Sequence, residues 1–279
     1  VLVAPMAYQQ IAHEDHELAT ARGAAAAGTV MCLSTVATAT PADVAVAAPG
    51  GPRWLQLYVF RDRAVSDEVV AQALEVGFTA IVLTADLPVV GIRDSERRAG
   101  FDVPELNVPA FTAARARNTS EDPALRLLDP GLQWDYVSEL RERWKVPIVV
   151  KGLVTAEDAE LACAHGAAGI VVSNHGGRQL DGAVASLEAL PEVVEAVAGR
   201  AEVFLDGGIR RGSDVAVALA LGARAVLVGR PVMYGLAFGG DKGVRQVLEI
   251  LRDEIENALA LLGCRSPSEV TRAHVSAVP

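Results

Sequence analysis

Cysteine, aromatic residues and basic charge are all in short supply in this 279-residue chain, and each shortage excludes something. There are three cysteines, Cys32, Cys163 and Cys264, odd in number, scattered, and each within or beside an apolar stretch. That pattern argues against a disulfide framework or a zinc cluster and for packing roles in a reducing compartment, so a cytoplasmic protein is expected. Lys and Arg number 25 against 35 Asp and Glu, giving a net charge of −10. With a sequence pI near 5.0 and no basic face to offset it, neither nucleic acid nor an anionic membrane surface is an expected partner. No apolar run reaches the ~18 residues that would cross a bilayer. The first residues show no basic, hydrophobic and small-residue series of a secretory leader. Instead Val1-Leu2-Val3-Ala4-Pro5 already reads as a strand.

With aromatics at 5 % and hydrophobic residues at 51 %, much of the apolar content is Ala and Val. A mean hydropathy of +0.28 and this length suit one large domain over 1–279 with a sizeable core. Short β-branched runs alternate with Ala-rich amphipathic stretches, the pattern of β/α units around a parallel sheet. Strands are expected at 1–5, 29–34, 53–59, 80–86, 147–152, 169–175, 202–208 and 225–231. Helices are expected at 14–27, 66–76, 134–144, 156–165, 187–197, 213–221 and 243–262. Gly28, Gly77, Gly166 and Gly222 fall where helices should end. Eight such units predict an α/β fold of the (β/α)₈ TIM-barrel type rather than an open doubly wound sheet. Only 100–131 breaks the rhythm, being long, Pro- and Arg-containing and aperiodic, and is expected to be an irregular loop over the active site.

A barrel gathers reactive groups at the C-terminal ends of its strands. Tyr58, Thr84, Asp86, Lys151, His175, Asp206 and Arg230 all fall at such ends. Each alone reads equally well as a cap or a turn residue, but matching positions on six successive strands are hard to produce by chance. The segment from Ser173 to Asp181 is the most telling. A lone histidine in a polar loop more often caps a helix or fills a turn, but here His175 and Arg178 leave one strand together. A guanidinium fork can hold a carboxylate while an imidazole takes a proton near neutral pH, which is the chemistry of a 2-hydroxy acid. Asp206 to Gly212 and Gly229-Arg230-Pro231 set small residues and backbone amides beside guanidinium groups, a pattern suited to phosphate in the last two loops of a barrel.

These residues, with Ala4-Pro5-Met6-Ala7, Gln56-Leu57-Tyr58, Leu83-Thr84-Ala85-Asp86 and Val150-Lys151-Gly152, resemble the FMN-dependent 2-hydroxy acid oxidases and dehydrogenases over nearly the whole chain. The resemblance implies FMN as cofactor and His175 as base, with Asp86 orienting it. It implies that Arg178 and Arg93 hold the substrate carboxylate, that Tyr58 bonds the substrate oxygen, and that Lys151 lies near the flavin as a fixed cation. Pro5, Ala7, Ser34, Gln56 and Thr84 would meet the flavin ring. Asp206, Gly208, Arg210, Gly229 and Arg230 would meet its ribityl phosphate, with no metal involved.

The family carries an N-terminal segment ahead of the first barrel strand; the sequence opens in that strand, so either the segment lies outside this sequence or the protein lacks it. Val36 stands where glycolate-oxidising members place tryptophan. With Ala7, this smaller side chain favours a bulkier acid of the mandelate or 4-hydroxymandelate type. Where membrane-bound members carry an apolar insertion, this chain has Arg115, Arg117, Glu121 and Asp122, so no membrane attachment and O₂ as electron acceptor are expected. A homo-oligomer, as is common in the family, is also expected. Two alternatives stay open: a barrel isomerase, or an aldolase using Lys151 as a Schiff base, and a catalytically defective barrel.

Overall fold

The computed structural model describes residues 1–117 and 124–276; Glu121 and Asp122, expected above to mark a charged segment, lie outside the described residues. Eight strands form the framework: β1 Leu2–Val3, β2 Met31–Ser34, β3 Arg53–Leu57, β4 Ile81–Thr84, β5 Ile148–Leu153, β6 Gly169–Val172, β7 Glu202–Asp206 and β8 Ala225–Val228. Each pairs in parallel with its neighbours, and β8 returns to β1, so the sheet is the closed (β/α)₈ barrel expected from the sequence. Around it run α1 His16–Ala26, α2 Pro41–Ala47, α3 Arg63–Glu75, α4 Asp94–Arg98, α5 Pro109–Arg117, α6 Asp135–Trp144, α7 Ala156–Ala164, α8 Ser186–Val197, α9 Gly212–Ala220 and α10 Arg230–Leu262. Among the described residues no helix is long and apolar enough to cross a membrane.

Alternation along the strands separates two apolar layers. Met31, Leu33, Leu55, Leu57, Ile81, Leu83, Ile148 and Val150 join the large cluster between barrel and helices. Leu2, Ala4, Cys32, Val82, Val149, Val171, Phe204 and Leu227 form a separate cluster filling the barrel, with Trp54 edge-on to Phe204 at 5.7 Å between ring centres. Two residues further along their strands, over this plug, come Ser34, Gln56, Thr84, Lys151, Ser173 and Asp206. The same period that fills the barrel with hydrocarbon therefore roofs it with polar groups.

Several boundaries depart from expectation. The second strand begins at Met31, the third ends at Leu57, the sixth at Val172, the seventh at Asp206 and the eighth at Val228. Of the site residues placed on strand ends, Tyr58, Asp86 and His175 therefore sit in loop positions just beyond them, while Thr84, Lys151 and Asp206 stay within their strands. His175 at φ 60 and Gly207 at φ 89 are left-handed, which no strand accommodates. Arg230 opens α10 rather than closing a strand, and α10 starts well before residue 243, with a kink at Gly239 and Gly240. The segment 100–131 is not simply irregular, since α5 lies within it, burying Ala110, Phe111 and Ala114 with Phe111 edge-on to Phe60. α2 lies outside the expected helices, although its start is marked in the sequence. Thr40 and Asp43 form a capping box around Pro41 at the first helical position.

Candidate active site

His175 carries the reactive geometry. Its Nδ1 lies 2.9 Å from Asp86 Oδ1 and its Nε2 lies 3.5 Å from the Tyr58 hydroxyl, joining loops after β3, β4 and β6. The ring is aimed by a strained backbone: left-handed φ costs a non-glycine residue about 1–2 kcal/mol. The His175 N–H donates to Ser173 Oγ at 3.0 Å, which helps hold it there. The same hydroxyl accepts from Lys151 Nζ at 3.0 Å. Gly176 and Gly177 continue the left-handed turn at φ 66 and 73.

Lys151 is 4 % exposed and lies 3.4 Å from Asp206 Oδ2 and 3.9 Å from Asp86 Oδ2. Burial alone would lower its ammonium, but Asp206 and then Asp86 outweigh that, leaving its pKa raised. Burial would likewise raise the Asp86 carboxyl, yet Lys151 and the His175 hydrogen bond hold it below its usual value. An ionised Asp86 accepts the proton of Nδ1, which leaves Nε2 with its lone pair facing Tyr58. Burial pushes the Tyr58 phenol up to about 12 against the opposing pull of Lys151, so it stays a proton donor.

Gly152 makes this packing possible. β5 shifts register between Lys151 and Leu153, and Gly152 sits in that irregularity at φ +103 with no side chain against Asp86. Gln179 straps the loops, donating to Asp86 O at 2.8 Å and Val89 O at 3.0 Å and accepting from Gly91 N at 3.2 Å. Ser173 and Gln179 both lie within the segment from Ser173 to Asp181, yet neither role is visible in the sequence. No periodic pattern announces a strap between segments some 90 positions apart.

The two arginines expected to grip a carboxylate are held by a residue the sequence did not single out. Arg178 Nη2 donates to Glu96 Oε1 at 3.0 Å, and Arg93 Nη1 lies 3.5 Å from Glu96 Oε2. Arg178 is nearly half exposed, whereas Arg93 Nε is buried with no acceptor among the described residues.

A second set of groups suits FMN. Gln56 Oε1 accepts from Ser34 Oγ at 3.0 Å and from Thr35 N at 3.2 Å, while its Nε2 donates to Thr84 Oγ1 at 3.0 Å, a fixed polar array of the kind a flavin's heteroatoms require. Pro5 and Ala7, half-buried, follow β1 at the same rim. Asp206 Oδ1 is buried and unpartnered, and Gly208 has open space where a Cβ would stand, so a ribityl hydroxyl has both an acceptor and room. Gly229 and Arg230 begin α10, with Arg230 reaching back to Gly176 O at 2.8 Å. Arg210 is exposed, its N–H donating to Asp214, and nothing occupies its guanidinium among the described residues. The residues present therefore fit the cofactor.

A cavity of about 340 Å³ lies behind Tyr58, among Leu83, Val150, Leu132 and Trp134. Its lining includes Tyr58 and Thr84 together with outward-facing strand residues, and neither His175 nor an arginine. Val36 is buried and its carbonyl accepts from Tyr8 N at 3.1 Å.

Known proteins resemble this chain along its length. The spinach (Spinacia oleracea) glycolate oxidase is 47 % identical over 285 residues, covering 99 % of this chain and 77 % of its own length. The L-lactate oxidase of a Nostoc species is 46 % identical over 282 residues, covering 97 % and 77 %. A crystal structure of mandelate oxidase superposes with a TM-score of 0.88 at 45 % identity, covering 97 % of this chain and 77 % of that one. The family model described as FMN-dependent dehydrogenase matches residues 1–277, and with an aspartate-oriented histidine over a polar array suited to FMN, the chain belongs to the FMN-dependent dehydrogenase family.

Proposed function

We propose that this chain oxidises an (S)-2-hydroxy acid with an aromatic side chain, of the mandelate or 4-hydroxymandelate type, to the 2-keto acid, and that O₂ is the electron acceptor, giving H₂O₂. The observation that carries this is the chain Asp86–His175–Tyr58, with Nε2 free to take a proton beside a phenol and two guanidinium groups on adjoining loops. Relatives are named for glycolate and L-lactate, and solved mandelate oxidases include complexes with (S)-mandelic acid and benzoyl-formic acid. The small Val36 favours the larger acid.

In this reading Arg178 and Arg93 hold the substrate carboxylate, the free Nε of Arg93 taking one oxygen. His175 Nε2 removes the hydroxyl proton, and Asp86 stabilises the imidazolium that results. A positioned base of this kind is worth about 10²–10⁴-fold in rate. Tyr58, held protonated, donates to the substrate oxygen. Ordinary side chains cannot accept two electrons, and FMN, when bound, supplies that capacity. Lys151 adds a fixed positive charge beneath the site, which favours an electron-rich reduced cofactor. A Schiff-base role for Lys151 is disfavoured by its burial between two carboxylates, because that nucleophile needs a depressed pKa and this one is raised.

The three free cysteines fit a cytoplasmic setting. Exposed Tyr234 and Phe238, one turn apart on α10, support a homo-oligomer. The direct test is an anaerobic visible spectrum titrated with mandelate, 4-hydroxymandelate, lactate and glycolate in turn. The expected result is a yellow protein bleached best by the aromatic acids and recoloured by air with peroxide formed. In the same assay His175→Ala should keep its colour and lose turnover. A His175→Ala protein retaining most of its activity would sink the assignment of the base.

A further inference from the structure

We propose that Glu96 is a positioning residue for substrate recognition, holding Arg93 and Arg178 together as one carboxylate-binding pair. The inference rests on the function proposed above and names the group that assembles its binding site. Glu96 lies on α4, in the segment between β4 and β5, and Arg178 lies on the loop after β6, so nothing in local chain geometry brings them together. One carboxylate meets both cations, with Oε1 3.0 Å from Arg178 Nη2 and Oε2 3.5 Å from Arg93 Nη1. Without it, two guanidinium groups aimed at one anion would repel each other and splay.

Glu96 is a brace rather than a stand-in for the substrate, as its contacts show. It engages one terminal nitrogen of each arginine and neither fork bidentately. Arg93 Nε is left buried and without an acceptor. A planar carboxylate bound by a guanidinium takes two parallel N–H groups, and the unsatisfied Nε edge supplies that face while Glu96 holds Nη1. A buried donor without a partner is costly, so an incoming carboxylate relieves a deficit already present in the site. Gln179, one position after Arg178, bonds Asp86 O, Val89 O and Gly91 N. Two straps thus tie the same pair of loops, one polar and neutral, the other ionic.

The test compares the FMN-loaded wild type with Glu96→Gln and Glu96→Asp. Substrates are mandelate and its uncharged methyl ester, and benzoylformate binding is measured by flavin difference spectra. Glu96→Gln should raise the mandelate KM and the benzoylformate Kd by about tenfold, the size of one lost charged contact (~1.4 kcal/mol), with kcat within threefold. Turnover of the ester should be unchanged relative to wild type, since it offers the arginines no anion. Glu96→Asp should recover part of the loss. The proposal is overturned if Glu96→Gln leaves KM unchanged, or if acid and ester suffer equally, which marks general damage. It is also overturned if KM falls, which would make Glu96 a competitor for the clamp. A wild type whose flavin no 2-hydroxy acid bleaches would overturn the functional reading itself, and this proposal with it.

Discussion

Replacing Gly152 by alanine should injure the chemistry more than the fold. A Cβ at Gly152 would stand 2.5 Å from both Cβ and Cγ of Asp86 and 2.9 Å from its backbone nitrogen, whereas ordinary contact begins at 3.4 Å. Asp86 must therefore retreat by about 1 Å, and a displacement of that size in a catalytic group costs on the order of 10²-fold in rate. The retreat weakens both the 2.9 Å contact to His175 and the 3.9 Å contact to Lys151. Stability also suffers, since alanine at φ +103 adds roughly 1–3 kcal/mol of backbone strain, enough to lower Tm by about 2–12 °C in a protein of this size. The assay is anaerobic stopped-flow reduction of the bound flavin, beside a melting curve. The expected outcome is a rate of reduction down by about two orders of magnitude in a protein that still folds and stays yellow. Because the injury runs through Asp86, Gly152→Ala added to Asp86→Asn should cost little beyond Asp86→Asn alone. A Gly152→Ala enzyme reducing flavin within threefold of wild type, or strict additivity in the double variant, would refute the reasoning.

Two further outcomes follow from the buried charges. Lys151→Met should destabilise by about 3–5 kcal/mol, because it strands Asp86 and Asp206 without their shared cation, and a denaturant melt with unchanged midpoint would contradict that. For pH, Asp86 has a lowered folded pKa, so its contribution is present above the ordinary carboxylate range and is lost as pH falls from about 3.8 downward. Lys151 and Tyr58 have raised folded values, so their contributions are intact below 10.5 and 10 and fade as pH rises through the folded ones. The melting temperature should therefore fall at both extremes. An alkaline loss of activity centred near 9 would have to come from a group other than Tyr58, whose phenol titrates near 12, and Tyr58→Phe should leave such a limb in place.

The barrel was legible because its signal is periodic. Strands such as Gly169–Val172 and Ala225–Val228 are short continuous apolar runs, as buried parallel strands generally are, and Gly28, Gly77, Gly166 and Gly222 stand just past helix ends at φ 71 to 102. Of the polar groups over the barrel, Thr84, Lys151 and Asp206 were legible as strand-end residues, whereas Ser34 and Gln56 were legible only through the family resemblance. What escaped was held by tertiary contact. α5 has little amphipathic pattern and is fixed by packing against Phe60 and α3, while α4 is too short to announce itself. Glu96 and Gln179 act between segments distant in sequence, so their neighbours along the chain carry no trace of their partners.

The closing seam bears on how the molecule is made. β1 pairs with β8, and α1 packs on α10, where a side chain on Gly23 would strike Asp241 O at 2.6 Å and Gly235 and Gly243 touch across the kink. A growing chain therefore carries two open sheet edges until residues 225–262 have emerged, with the first strand waiting for the last. Such edges invite pairing with other chains while they wait. The loops expected to grip phosphate follow β7 and β8, so they are also the last to appear. A cofactor that joins the ends of those two strands to the rim above β1 would act as a latch on the finished ring, favouring closure by the free energy of its own binding.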